Sequence, residues 1–149
     1  MPYFQMFFRS TSCASIGALA TMLDRTISYV RDKIGVFGLP VAQDPVAQLA
    51  CAEAALALDE MKVSLYASLD RLFGCAERQE LAPISERIRY KAQSASIAER
   101  CASLGEKLFR VVGAGGLHDD LPFGDLLADL RAARQHFANQ VELHGRSYG

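Results

Sequence analysis

The stretch DLLADLRAARQHF, residues 125 to 137, places Asp129 and His136 seven residues apart in a segment with helical periodicity. A carboxylate holding an imidazole is a familiar acid–base pair, and histidine suits proton transfer because its ordinary pKa of about 6.5 lies near neutrality. Seven residues of helix bring the two onto roughly one face but about 10 Å apart along the axis. A direct hydrogen bond within the helix is therefore excluded. His136 stands as a single candidate acid or base, and Asp129 is expected to pair with an arginine of another helix or subunit. His136, Gln140 and His144 repeat about one turn apart, but no Glu-x-x-His pair accompanies them, so no metal is expected. Phosphate-loop and nucleophile-elbow motifs are absent from the sequence.

The elements that must position these groups follow from apolar spacing. Ile16, Leu19, Leu23, Ile27, Val30 and Ile34 recur every three or four residues and predict a first helix that Gly35 stops. Asp44 can cap the free N–H groups of a second helix and Pro45 fits its first position. Leu58, Met61, Leu65, Leu69 and Leu72 form that helix's stripe, with a junction expected at Gly74. Pro83 and Ile84 open a third helix running to about Val112, whose small residues Ala95, Ala98, Ala102 and Gly105 let a neighbour come close. After GAGGLHDDLP, Pro122 stands near the start of a fourth helix with Leu127, Leu130, Phe137 and Val141 on its apolar side. Short connections force neighbours to alternate, so the fold class is all-α, an antiparallel four-helix bundle. The expected organisation is one domain over 1–149, with an aromatic segment at 1–9 and the bundle at 10–149.

A chain of 149 residues can bury about 70% of its unfolded surface, enough for a core without staples. Its net charge of −1 gives no electrostatic footprint for nucleic acid or anionic lipid. Cys13, Cys51, Cys75 and Cys101 lack metal-ligand spacing and are expected to be reduced and mostly buried. No apolar run reaches the ~20 residues of a membrane span. The N-terminus has no basic lead, so a secretory signal is not expected and a cytoplasmic location follows by default. Tyr3, Phe4, Phe7 and Phe8 would form an exposed patch unless they fold back onto the bundle or cover an interface.

Three segments carry a family resemblance: SIGALATMLDRTISYVRDKIG, the glycine cluster VVGAGG at 111 to 116, and PFGDLLADLRAARQHF. Together they resemble the C-terminal helical domain of the acyl-CoA dehydrogenase superfamily. Within it the likeness is nearest to flavin-dependent monooxygenases that hydroxylate aromatic substrates with reduced flavin and oxygen. Pro122, Asp129 and His136 fall into register with the family pattern. The resemblance implies that His136 lies beside a flavin, FAD or FMN, and takes part in its oxygen chemistry. It also implies that Arg31 reaches a cofactor phosphate across a subunit contact, and that Gly115 and Gly116 form the turn between the last two bundle helices, near the cofactor. A helix N-terminus after GAGG could hold an anion, yet His118, Asp119, Asp120 and Asp125 make that end acidic.

Where the family has two arginines this sequence has Asp125 and Ala128, so the anion contacts of those planar forks are lost or rerouted. Full-length members place two further domains before the bundle, and the opening aromatics resemble the exit from the second of them. The chain is therefore expected to begin at a domain junction, and independent flavin binding is in question. Three functions stay open. One is a shortened flavoenzyme relative acting on a hydrophobic small molecule, with or without flavin. The others are a subunit that completes the site of a longer flavoprotein, and an assembly module without chemistry. A homo-oligomer is expected in each case.

Overall fold

The computed structural model describes residues 3–35, 37–118 and 120–149, so Val36 of the first breaker-rich loop and Asp119 of the acidic run lie outside it. Among the described residues the chain is all-α, with helices α1 (Tyr3–Asp32), α2 (Pro45–Glu77), α3 (Ile84–Val112), α4 (Phe123–Gln135) and α5 (Val141–Tyr148). Short 3-10 turns cover Val41–Gln43, Ala114–Leu117 and Phe137–Asn139.

No breaker separates the opening aromatics from Ile16, and α1 accordingly begins at Tyr3: the aromatic segment is its first two turns. The helix ends at Asp32, before Gly35. Ile34 is left outside the core, bridging to Pro40 in a tight return where the Gly35 N–H donates to the Leu39 carbonyl at 2.8 Å. Lys33 then reaches across and donates to the Val112 carbonyl, placing a cation at the C-terminal end of α3, where the helix dipole favours it.

Asp44 caps α2 as expected, its carboxylate accepting from the Val46 N–H at 2.9 Å with Pro45 in the first turn. Gly74 does not stop this helix. The stop comes five residues later, where Gln79 takes a left-handed φ of 57°. Glu80 N–H donates to Cys75 O at 2.9 Å and Gln79 N–H to Ala76 O at 3.0 Å, the paired bonds of a Schellman cap.

Cross-helix contacts fix the directions. Glu60 pairs with Arg100 at 2.7 Å and Glu53 with Lys107 at 2.6 Å, so α2 and α3 run oppositely. Arg131 with Glu106 and Arg134 with Glu99 do the same for α4 and α3. Ser12 donates to the Ser94 carbonyl while Met22 meets Gly105, so α1 and α3 run parallel across the bundle. At the centre, a Cβ on Gly105 would lie 2.5 Å from Leu130 Cδ1 and 3.4 Å from Met22 Sδ. Glycine there lets α1, α3 and α4 converge on one rung. Leu19, Met22, Met61, Leu108 and Leu130 fill the core around it, each contributing about 1.5–3 kcal/mol through burial. The ion pairs outside add little by comparison.

One part of the α1–α3 seam is polar. Arg9 is 1% exposed and lies 5.1 Å from the Tyr90 ring, with Nη2 3.5 Å from Gln93 Oε1. Burial lowers its pKa to about 10, opposed by the nearby Tyr90 and Cys13. No described helix is long and apolar enough to cross a membrane.

The cap at Gln79 generates a stability prediction. A left-handed side chain costs roughly 1 kcal/mol that glycine avoids, so Gln79→Gly should raise unfolding free energy by about 1 kcal/mol in urea. A loss of stability would show that φ is not what this position pays for.

Candidate functional site

Helix α4 does not continue through His136. It ends at Gln135, and His136 takes an extended conformation with ψ of 137° before the 3-10 turn. The expected fourth helix, with Asp129 and His136 on one face and Leu127, Leu130, Phe137 and Val141 on the apolar side, is therefore broken, and of His136, Gln140 and His144 only His144 lies within a helix, α5. The physical cause is Asn139, 1% exposed. Its Nδ2 donates to the Ala133 carbonyl at 2.8 Å, capping the end of α4, while its Oδ1 accepts from Thr11 of α1 at 3.0 Å. A side-chain amide here replaces the backbone bonds that would have prolonged the helix.

The break lifts His136 onto an aromatic shelf. Its ring centroid lies 5.8 Å from Phe7 and 4.9 Å from Phe137, and those two rings stack on each other at 5.6 Å. His136 Nδ1 accepts from the Ala138 N–H at 3.3 Å. A ring nitrogen that accepts carries no proton, so the neutral side chain has its proton on Nε2, the nitrogen left for a ligand. His136 is exposed, and Tyr3 and Phe4 extend the shelf at 74% and 61% exposure. Phe137 is 52% exposed, not the core residue that helical spacing suggested.

Behind the shelf sits His144, buried against Phe8 at 4.9 Å in an edge-to-face arrangement, its Nε2 donating to the Phe137 carbonyl at 3.0 Å. It is a second support of the turn that carries His136. Asp129 is exposed on α4, and among the described residues no bond joins it to His136 or to an arginine. Asp125 lies in the first turn of α4, and Ala128 is exposed on the same helix.

Arg31 and the glycine cluster lie at the opposite end of the bundle. Phe7 and Arg31 are separated by about 36 Å along α1 at 1.5 Å per residue, further than one flavin reaches. One protomer therefore does not bring Arg31 and His136 to one cofactor. Arg31 is exposed in the last turn of α1. Gly113 carries the left-handed φ of 73° that ends α3. Gly115 and Gly116 are needed for space: a Cβ on Gly115 would lie 2.6 Å from Tyr29 Oη, and one on Gly116 2.7 Å from Val112 Cγ1. The chain's own atoms fill both of these spaces, which is why each position is glycine.

Asn139, Thr11 and the Phe7–Phe137 stack escaped the sequence analysis. An asparagine just after an aromatic pair, with a hydroxyl residue on a distant helix, leaves no periodic mark. The four cysteines are free, but Cys13 is exposed and Cys51 half-buried. Burial raises the pKa of Cys51 and pushes that of Cys101 to about 12.

A family model described as acyl-CoA dehydrogenase, C-terminal domain, matches residues 10–143. No curated protein sequence matches the chain. Among solved structures, 3-HSA hydroxylase from Rhodococcus sp. RHA1 is similar at a TM-score of 0.89 and 25% identity, covering 100% of this chain and 39% of that one. XiaF from Streptomyces sp., solved in complex with FADH2 and glycerol, is similar at 0.91 and 14% identity, over 98% and 37%. An acyl-CoA dehydrogenase from Geobacillus kaustophilus is similar at 0.75 and 17% identity, over 97% and 36%. The chain thus spans well under half the length of these proteins.

Two measurements check this geometry. Gly115→Ala should destabilise the chain by about 1–3 kcal/mol through overpacking, and Tyr29→Phe, which removes the Oη, should recover at least ~1 kcal/mol of it in a double-mutant cycle. Additive effects would refute the steric account. At mildly alkaline pH, iodoacetamide should label Cys13 first in the native chain and leave Cys101 unmodified, because the protonated, buried thiol is inert; all four should react in denaturant. Native labelling of Cys101 as fast as Cys13 would contradict the burial.

Proposed function

The chain belongs to the family of acyl-CoA dehydrogenase C-terminal domains, and from that premise we propose that it supplies one wall of a flavoenzyme-type site, with His136 as its acid–base group. The observation that supports this is the exposed His136 held on the Phe7–Phe137 shelf with Nε2 available. A flat, hydrophobic small molecule or an isoalloxazine ring fits such a surface, since offset stacking needs only an exposed aromatic face.

Neutral His136 would offer its Nε2–H as a hydrogen-bond donor to an oxygen of the molecule lying on the shelf. As a general acid it would act from the imidazolium, giving the Nε2 proton to that oxygen, keeping the one on Nδ1 and parting from the Ala138 N–H, and would take the proton back at Nε2. The aromatic surround excludes water from one side of that transfer and strengthens it. FAD or FMN, when bound, supplies the redox chemistry. The open side of the shelf is to be closed by another domain, such as that of a longer flavoprotein. Arg31, about 36 Å away along α1, is the cation for an anionic group of a different cofactor molecule. A second role, self-association, is favoured by an exposed apolar face on α2.

FMN fluorescence tests the shelf directly. Titration of the lone chain should quench FMN at modest affinity. His136→Ala and Phe137→Ala should each weaken binding about fivefold or more, the lower end of ~1–3 kcal/mol for stacking. In a complex with a longer flavoprotein, His136→Ala should lower turnover about 10²–10⁴-fold, as loss of a general acid–base group does. Quenching or turnover that is the same in wild type and His136→Ala would overturn the assignment.

A further inference from the structure

Arg9 carries a full charge into the α1–α3 seam and has little there to meet it. Of its guanidinium donors, Nη2 lies 3.5 Å from Gln93 Oε1, the outer limit of a hydrogen bond, while Nε and Nη1 are buried without a partner among the described residues. The Tyr90 ring 5.1 Å away offers a π face but no negative charge. Burial lowers the pKa only to about 10, so the group is a cation at neutral pH. Glu86, which meets Tyr90 Oη at 3.4 Å, is held by Arg71 through bonds of 3.0 and 3.3 Å. No described carboxylate forms an ion pair with Arg9. Ser94 Oγ, buried on the same seam, is a second polar atom without a partner among the described residues.

The seam has an opening beside it. Between α2 and α3 lies a groove of ≈ 240 Å³ with Met61, Ser64, Gln93, Ser96 and Ile97 in its walls. Gln93 belongs to both places: it is half-buried, lines the groove and meets Arg9 behind it. Glu60 and Arg100 flank the groove as a pair at 2.7 Å, so they cancel and leave the charge of Arg9 unmatched.

We propose that this groove, with Arg9 at its floor and Gln93 as its gate, is a binding site for a small aliphatic monocarboxylate. A guanidinium recognises the planar, two-oxygen carboxylate with paired N–H bonds. One unmatched cation calls for one negative charge, which a monocarboxylate supplies and a phosphate dianion would exceed. Met61 and Ile97 suit a short apolar body, and the volume falls below the ~300–1,000 Å³ of drug-sized sites, so that body is small. Rotation of Gln93 about its own side-chain torsions opens the way from the groove to the guanidinium. The site rests on nothing assigned to His136.

The residue type at position 93 keeps the cation available. An acid there would pair with Arg9 permanently and close the site. A neutral amide at 3.5 Å holds the guanidinium loosely, and a charged acceptor displaces it because charge-assisted bonds are roughly twice as strong as neutral ones. A buried cation without an anion also lowers stability. Carboxylate binding removes that cost, so ligand affinity and fold stability are linked at Arg9.

NMR of the full chain tests this, with the Arg9 Nε–H and the Gln93 side-chain amide as reporters and isobutyrate as the probe. Isobutyrate should shift both signals saturably in the millimolar range, and its neutral isostere isobutyramide should not. Arg9→Met should weaken the response read at Gln93 at least tenfold, about 1.4 kcal/mol. It should leave thermal stability unchanged or higher, because an apolar side chain of similar length removes the buried charge. Gln93→Glu, at a half-buried position, sets a permanent carboxylate beside Arg9. That variant should be more stable than wild type and lose the response read at Arg9. Equal responses to isobutyrate and isobutyramide, or a response that survives Arg9→Met, would overturn the proposal. So would shifts confined to exposed cations such as Arg89, or a Gln93→Glu chain that is no more stable and still responds. The absence of any saturable shift would overturn it too, leaving buried water as the partner of Arg9.

Discussion

The buried amide of Asn139 is the interaction on which the candidate site depends. It links Thr11 of α1 to the Ala133 carbonyl of α4 with both ends satisfied. A buried amide with its partners in place is worth about a kilocalorie per bond, whereas one left without them costs more. Its consequence is directional: α4 must end, the chain must turn, and His136 must leave the helix face it would otherwise share with Asp129. His144 reinforces the same turn through the Phe137 carbonyl. The shelf is thus a product of tertiary hydrogen bonding between distant segments, laid over a bundle whose helices are set by apolar packing.

That division explains how much the sequence disclosed. The helices announced themselves through periodic Leu, Ile and Ala and through the cap at Asp44, so the all-α bundle and the direction of each helix were legible. Register with the family pattern singled out His136. Three local features were not legible. Gly74 looked like a stop, but one glycine inside a long, core-packed helix costs only about 1 kcal/mol, and Gln79 ends the helix at the price of a left-handed side chain. Phe137 looked like core because the period was carried through a break that only Asn139 reveals. Gly115 and Gly116 looked like a turn, and the need for glycine there comes from Tyr29 and Val112, whose atoms take the space a side chain would fill. At Phe137 and Gly115 a contact from far along the chain overrode a local preference, whereas the cap at Gln79 and the crowding at Gly116 come from within the same turn.

The surface divides into regions with different tasks. One end of the bundle presents the aromatic shelf and His136, the other Arg31 with Lys33 bound back onto α3, and the side of α2 presents exposed apolar side chains. Because about 36 Å of helix separates the two ends, a single protomer cannot apply both His136 and Arg31 to one cofactor. The His136 shelf and the exposed apolar side chains of α2 lie on different elements, so substitutions can address each separately.

The central claim is that a helix break fixes His136 on the shelf with Nδ1 accepting and Nε2 carrying the proton. Long-range proton–nitrogen NMR of the imidazole, with the other two histidines replaced only for assignment, tests it most directly. The account predicts the Nε2–H tautomer for neutral His136, with cross-peaks from its ring to Phe7 and Phe137. A neutral ring with its proton on Nδ1, or one showing contacts to Ala132 as a continuous helix would give and none to Phe7, would contradict it.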